Sequence, residues 1–289
     1  MNRRPRPFGV LLASLASLVF CGAVAAYPAQ AVSFDGRDGL RLSGWLMLPA
    51  TPPQGTVIAL HGCGGLYATA GSRKGELNAR HQAMGDMLVD QGYAVLFPDS
   101  FTSRGVHEIC TQRFGARALG QTERRRDVLA SLDWVAAQPW ADARKVALLG
   151  WSHGGSAVLA ATDATRRDVM AEPLRFATAI AFYPGCSAAL KSGYRPDTRL
   201  TVMIGADDDW TPAAPCIELG KAVDAEVVVY PDSFHDFDNP VGQVRLRADV
   251  PNGVHPGQGV HAGANPAARA QAYERVRALL RQAFDRPHV

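Results

Sequence analysis

Three stretches of the chain hold residues able to attack a carbonyl carbon. "GWSHGG" (150–155) places Ser152 among glycines, "GADDDWTP" (205–212) offers Asp207, Asp208 and Asp209, and "YPDSFHDF" (230–237) carries His235. A serine hydroxyl is a poor nucleophile until an imidazole takes its proton and a carboxylate orients that imidazole. The three stretches follow one another as serine, acid, histidine, the order found where the serine sits on a sharp turn from strand to helix. A Gly-x-Ser-x-Gly match alone is weak, because any turn collects glycine and serine. Its context makes it specific: "KVALL" precedes it as a strand and "SAVLAATDA" follows as a helix. In such a turn a side chain at position 150 or 154 would clash, and the serine hydroxyl projects at a helix N-terminus, where the dipole favours developing negative charge.

Attack on a carbonyl creates an oxyanion, which needs two fixed donors. The amide of His153, next to the serine, is one candidate. "HGCGG" (61–65) supplies the other, and the glycines flanking Cys63 let that loop turn the Cys63 amide inward. The His153 ring is then a pocket wall.

These residues need a scaffold that brings distant loops to one edge. Strand-like runs occur at 40–49, 55–62, 94–99, 145–150, 176–185, 200–209 and 225–231, and helical spacing at 76–93, 122–138, 153–164, 217–224 and 266–284. Strands alternating with helices, with apolar rather than alternating interiors, predict an α/β fold with a mostly parallel sheet covered on both faces. Function in such sheets gathers at the carboxyl ends of the strands, where "HGCGG", "GWSHGG", "GADDDWTP" and "YPDSFHDF" all fall. Residues 235–263 hold too few apolar residues for an element and are expected to form a long loop over the site. The run Arg124 to Arg126 is expected on a solvated helix face.

The N-terminus reads as an export signal over residues 1–31. Arg3, Arg4 and Arg6 precede the apolar "GVLLASLASLVF", and small residues allow cleavage after Ala25 or Ala31. The apolar run is short for a membrane span of about 20 residues, so no stable anchor is expected. The whole chain has 30 basic and 27 acidic residues, and the leader holds three of the basic ones and none of the acidic. The mature chain, 32–289, is thus balanced at 27 against 27, which argues against nucleic acid or a charged membrane as partner. It has the length of a single α/β domain, with no linker or repeat. Cys63, Cys110, Cys186 and Cys216 remain, an even number that suits disulfides in a periplasmic or secreted protein. No metal-type cysteine spacing occurs, His255 and His261 lack ligand spacing, and no cofactor is called for.

Taken together, "ALHGCGGL", "GYAVLFPDSF", "GWSHGG", "FYPGC", "GADDDWTP" and "YPDSFHDF" resemble the landmarks of the dienelactone hydrolase family of α/β hydrolases, over roughly residues 35–285. The resemblance implies an α/β-hydrolase fold with about eight strands and a Ser152–His235–Asp triad acting on a small-molecule ester or lactone. In this fold the acid stands three residues after a glycine and four before a proline, and Gly205 and Pro212 select Asp208. The enzyme that gives the family its name has a cysteine nucleophile and a glutamate beside its oxyanion loop. This chain has Ser152 and no acid in "HGCGG", so a general serine esterase is the implied activity, with a peptidase or polyester hydrolase on the same fold, or a non-catalytic binding protein on a hydrolase scaffold, as the alternatives. Arg104, in "PDSFTSRG", stands near a family arginine that pairs with substrate carboxylate, and Trp151 and Trp210 are placed to wall the pocket. The loops that this fold sets side by side imply the disulfides Cys63–Cys110 and Cys186–Cys216.

Overall fold

Apolar runs without polar interruption make strands that can be buried on both faces. In this computed structural model, which describes Met1, residues 28–117 and residues 119–285, the chain begins with β1 (Gln30–Asp35), β2 (Arg41–Met47), β3 (Thr56–Leu60), α1 (Ala79–Asp90), β4 (Ala94–Asp99) and α2 (Gln121–Ala136). It continues through β5 (Val146–Trp151), α3 (His153–Ala161), α4 (Arg167–Met170), β6 (Thr178–Phe182), α5 (Ser187–Lys191) and β7 (Leu200–Gly205). It ends with α6 (Ala213–Val223), β8 (Glu226–Tyr230), β9 (Arg245–Arg247), β10 (Val260–Ala262) and α7 (Pro266–Phe284). β3, β4, β5, β6 and β7 are buried at every residue, while the edge strands β1 and β8 are largely open.

The sheet has eight strands in the order β1-β2-β4-β3-β5-β6-β7-β8. β1, β2 and β4 pair antiparallel, and β4, β3, β5, β6, β7 and β8 run parallel. This is the α/β-hydrolase fold. The chain steps one way from β3 to β4 and the other way from β5 to β6. With right-handed crossovers, that reversal puts α1 on one face and α2 and α3 on the other. It also makes the loops after β3 and β5 diverge, opening a crevice at the point where the strand order switches. Ser152 and "HGCGG" stand on its two sides.

Four findings differ from the expectations. Most of the expected leader lies outside the described residues, but Gln30 and Ala31 open β1, paired with Leu46 and Trp45. The segment 235–263 is not element-free: β9 and β10 pair antiparallel within it. Backbone pairing holds them despite scarce apolar residues, a signal invisible to a search for apolar periodicity. α6 starts four residues before the expected helix, with Pro212 as its N-cap. Arg124 is fully buried rather than solvated, because only one face of α2 meets water and three consecutive residues span most of the helix circumference. Its Nη2 donates to the His61 carbonyl at 2.8 Å.

Candidate active site

Ser152 joins β5 to α3 with φ 54° and ψ −116°, a backbone that costs a non-glycine residue about 1–3 kcal/mol and persists only where its surroundings enforce it. They do so here by crowding. A Cβ on Gly150 would lie 2.4 Å from the Gly154 carbonyl oxygen, and one on Gly154 would lie 2.2 Å from the Leu60 carbonyl oxygen. Both glycines are required so that α3 can start against the end of β3.

The sharp turn aims Ser152 at a histidine in the segment after β8, at the same carboxyl edge of the sheet. Ser152 Oγ lies 2.9 Å from His235 Nε2, and His235 Nδ1 lies 2.8 Å from Asp208 Oδ2. The other Asp208 oxygen accepts the amides of Trp210 at 2.9 Å and Thr211 at 2.8 Å. Those two bonds leave Oδ2 facing the imidazole. Of the three aspartates, Asp208 is buried, Asp207 is exposed, and Asp209 turns away to His261, whose amide and Nδ1 lie 2.8 and 2.7 Å from its two oxygens.

The His235 ring is packed between two aromatic side chains, Tyr183 at 4.5 Å and Trp210 at 4.6 Å between centroids. Tyr183, at the carboxyl end of β6, has φ 37°. Its hydroxyl donates to Asp238 Oδ1 at 2.5 Å, and Trp151 Nε1 donates to Asp238 Oδ2 at 2.7 Å. Arg80, from α1, pairs with Asp236 and donates to the Tyr183 hydroxyl at 3.1 Å. The residues just after His235 are therefore held from β5, β6 and α1 at once. "FYPGC" marked Tyr183 as a landmark, but nothing local in the sequence couples Arg80, Trp151 and Asp238.

The loop after β3 meets the turn from above: a Cβ on Gly62 would lie 3.4 Å from Ser152 Cβ. The Cys63–Cys110 disulfide holds this loop to the segment after β4, reinforced by the Ile109 amide on the Cys63 carbonyl at 2.9 Å. Cys186–Cys216 joins the loop after β6 to α6. Both expected pairings are present. Cys63, Ser152, His153 and Trp210 all line one cavity of about 910 Å³. Its far wall comes from α5 and the loop before α2, and Gly253 and Val254 of the 235–263 segment form part of its rim. Burial, with Arg124 and Arg117 nearby, holds His153 well below the ordinary imidazole range, so its ring is neutral.

Two expected pocket residues stand elsewhere. Arg104 does not reach the cavity: its guanidinium bonds both Asp127 oxygens at 2.8 and 2.9 Å and Asp38 Oδ2 at 2.6 Å. It braces α2 against the turn between β1 and β2. Trp151 is a core residue with no exposed surface. It belongs to a strand, where neighbours point to opposite faces, and it lies under the sheet edge while Ser152 projects from it. Sequence reading missed Arg117 and Gln121, which line the cavity from the stretch just before and at the start of α2. Among the described residues, no group of histidine, cysteine, aspartate and glutamate side chains is suited to hold a metal ion. No described helix is long and apolar enough to cross a membrane.

Comparison with known proteins places this arrangement. Curated proteins returned no match. Among solved structures, the chain is similar to a Klebsiella pneumoniae protein described as a dienelactone hydrolase, with 16% identity and a TM-score of 0.63 over 88% of this chain and 99% of that one. It is similar to a dienelactone hydrolase-like promiscuous phosphotriesterase from metagenomic libraries, with 21% identity and a TM-score of 0.62 over 88% and 98% of the two chains. It is also similar to the dienelactone hydrolase of Anabaena variabilis, with 20% identity and a TM-score of 0.56 over 75% and 91%. At these identities the likeness shows the fold. The sequence profile of the dienelactone hydrolase family matches residues 42–284, so the chain belongs to that family.

Proposed function

We propose that the protein is an exported serine hydrolase that cleaves a carboxylic ester or lactone through an acyl-enzyme. One observation carries this reading: the unbroken hydrogen-bonded chain from Ser152 Oγ through His235 to Asp208, opening onto a cavity. Ser152 Oγ attacks the ester carbonyl carbon while His235 Nε2 takes its proton, and the carbonyl electron pair moves onto oxygen. The amides of Cys63 and His153 hold that oxyanion. The first amide of a helix has no acceptor within the helix, which leaves the His153 N–H free for this use. Collapse of the intermediate breaks the carbon–oxygen bond to the alcohol, which leaves with the proton from His235. Water then attacks the acyl-enzyme, again giving its proton to His235, and Ser152 is released. Asp208 stabilises the imidazolium in both steps. Export is supported by the two disulfides and by the basic, apolar leader. Cleavage after Ala25 would keep all of β1, whereas cleavage after Ala31 would remove two of its residues.

The test is Ser152→Ala. Its ester hydrolysis should fall on the order of 10⁶-fold with the fold retained, by analogy with other serine triads, and a fluorophosphonate should label the parent at Ser152 and leave the variant unlabelled. Full turnover in the folded variant would falsify the mechanism.

A further inference from the structure

Besides Asp208, two carboxylates stand close to His235: Asp236 and Asp238, on its own segment. Asp238 has no exposed surface, and its oxygens accept the Tyr183 hydroxyl and Trp151 Nε1. Both donors are neutral, and a buried charge held by neutral donors still lacks a counter-charge. Arg80 supplies one from α1. Its guanidinium pairs with Asp236, donates to the Tyr183 hydroxyl at 3.1 Å and acts on Asp238 from farther away. Burial, partly offset by Arg80, pushes the Tyr183 phenol well above its ordinary range, so it stays protonated and passes the contact on to Asp238. The Tyr183 ring in turn lies 4.5 Å from that of His235.

The same guanidinium reaches the other two parts of the site. It stands over the Trp151 ring, 5.6 Å from the centroid. A Cβ on Gly62 would lie 3.9 Å from Arg80 Nη2 and 3.4 Å from Ser152 Cβ. One cation is thus placed beside the loop after β3, the strand end that carries Ser152 and the segment that carries His235. Around the His235 ring, Asp208 and Thr211 face Nδ1, Ser152 faces Nε2, and Tyr183 and Trp210 cover the two faces. His261, on the adjoining β10, is paired with Asp209. Without Arg80, the three carboxylates of Asp208, Asp236 and Asp238 would all favour a protonated ring.

We propose that Arg80 is a positioning residue for the hydrolytic reaction. It fixes His235 through Tyr183 and Asp236, and its charge offsets Asp236 and Asp238 so that they do not trap a proton on the imidazole that must take one from Ser152. The inference rests on the serine hydrolase reading above, whose base it explains.

The experiment measures kcat and KM for a neutral ester across the pH range in which imidazoles titrate, in the parent, Arg80→Gln, Arg80→Lys, Asp236→Asn and the double variant Arg80→Gln/Asp236→Asn. In Arg80→Gln the acid limb of kcat/KM should move up by about half a pH unit or more. Its kcat should fall about tenfold to a hundredfold with KM little changed, the cost of a slightly misplaced reacting group. Arg80→Lys keeps the charge and loses the fork, so it should keep the parent's acid limb with an intermediate kcat. Asp236→Asn, at a positive φ that asparagine tolerates, should move the limb down, and the double variant should return it toward the parent. A purely structural role would lower kcat/KM alike at every pH. That result in Arg80→Gln, or a limb that moves as far in Arg80→Lys, overturns the proposal. If Arg80→Gln does not fold, Asp236→Asn decides alone: an unmoved limb there is equally fatal. Proton NMR titration of the His235 ring in the parent and in whichever of these two variants folds separates the two readings. A midpoint that rises in Arg80→Gln, or falls in Asp236→Asn, supports the proposal even if the parent cleaves no ester, in which case the hydrolase reading alone fails. An unmoved midpoint refutes it even where hydrolysis depends on Ser152.

Discussion

Asp208 and Asp209 are adjacent and identical in kind, yet they face different histidines. Backbone amides two and three residues on capture one Asp208 oxygen and aim the other at His235, while Asp209 points to His261 and anchors β10. Asp208→Asn should lose on the order of 10⁴ in rate, because an amide that donates to His235 Nδ1 holds the wrong tautomer. Asp209→Asn and Asp207→Asn should stay within about tenfold of the parent by the same reasoning. Steady-state kinetics on one ester across the three variants checks the order. An active Asp208→Asn beside a crippled Asp209→Asn would move the acid of the triad to the other dyad.

Among the elements, Arg104 matters through what it joins. Its guanidinium ties the 3₁₀ turn after β4 to Asp127 on α2 and to Asp38 in the β1–β2 turn. Asp127 is almost fully buried, and burial raises its carboxyl above the ordinary range even with Arg104 beside it. Arg104→Ala would remove that acid's ion-pair partner and leave it only the Ser100 hydroxyl and the more distant Arg124, and breaking a buried pair in this way costs about 3–5 kcal/mol. The denaturant midpoint should drop accordingly, and activity on neutral and anionic esters should fall in the same proportion. A selective loss on the anionic ester would return Arg104 to a role in substrate choice. The disulfides act at the same scale. They close spans of 47 and 30 residues, each worth about 4 kcal/mol in the chain-entropy model, and Cys63–Cys110 stiffens the loop that packs against the Ser152 turn.

At the scale of the whole molecule, three histidines among the described residues are folded away in their neutral form. Burial holds His61, His81 and His153 well below the ordinary imidazole range, and the cations Arg124 and Arg80 push the same way. Their folded pKa values lie below the unfolded value near 6.5, so their contribution is fully present above that pH. It is lost as the pH falls below it, because only the unfolded chain takes up the protons. Each can contribute a slope of up to about 1.4 kcal/mol per pH unit in that window. Tm should therefore fall steadily from pH 7 to pH 5, and less steeply in His81→Gln. A Tm that holds level or rises over that range would contradict this account.

The elements and the hydrogen-bonded set of Ser152, His235 and Asp208 were legible in the chain because both are written in short-range terms. Apolar runs mark strands that must be buried on both faces, glycines at 150 and 154 mark a turn with no room for a side chain, and the order of Ser152, Asp208 and His235 follows the order of the strands that end beside them. Arg104, Trp151 and Arg124 were misplaced for the opposite reason. Whether an arginine meets a substrate, a buried aspartate or water depends on which carboxylates other elements bring within reach, and Asp38 and Asp127 come from β1–β2 and α2. β1 and the β9–β10 pair were overlooked because edge strands are held by backbone hydrogen bonds that leave little trace in side-chain pattern.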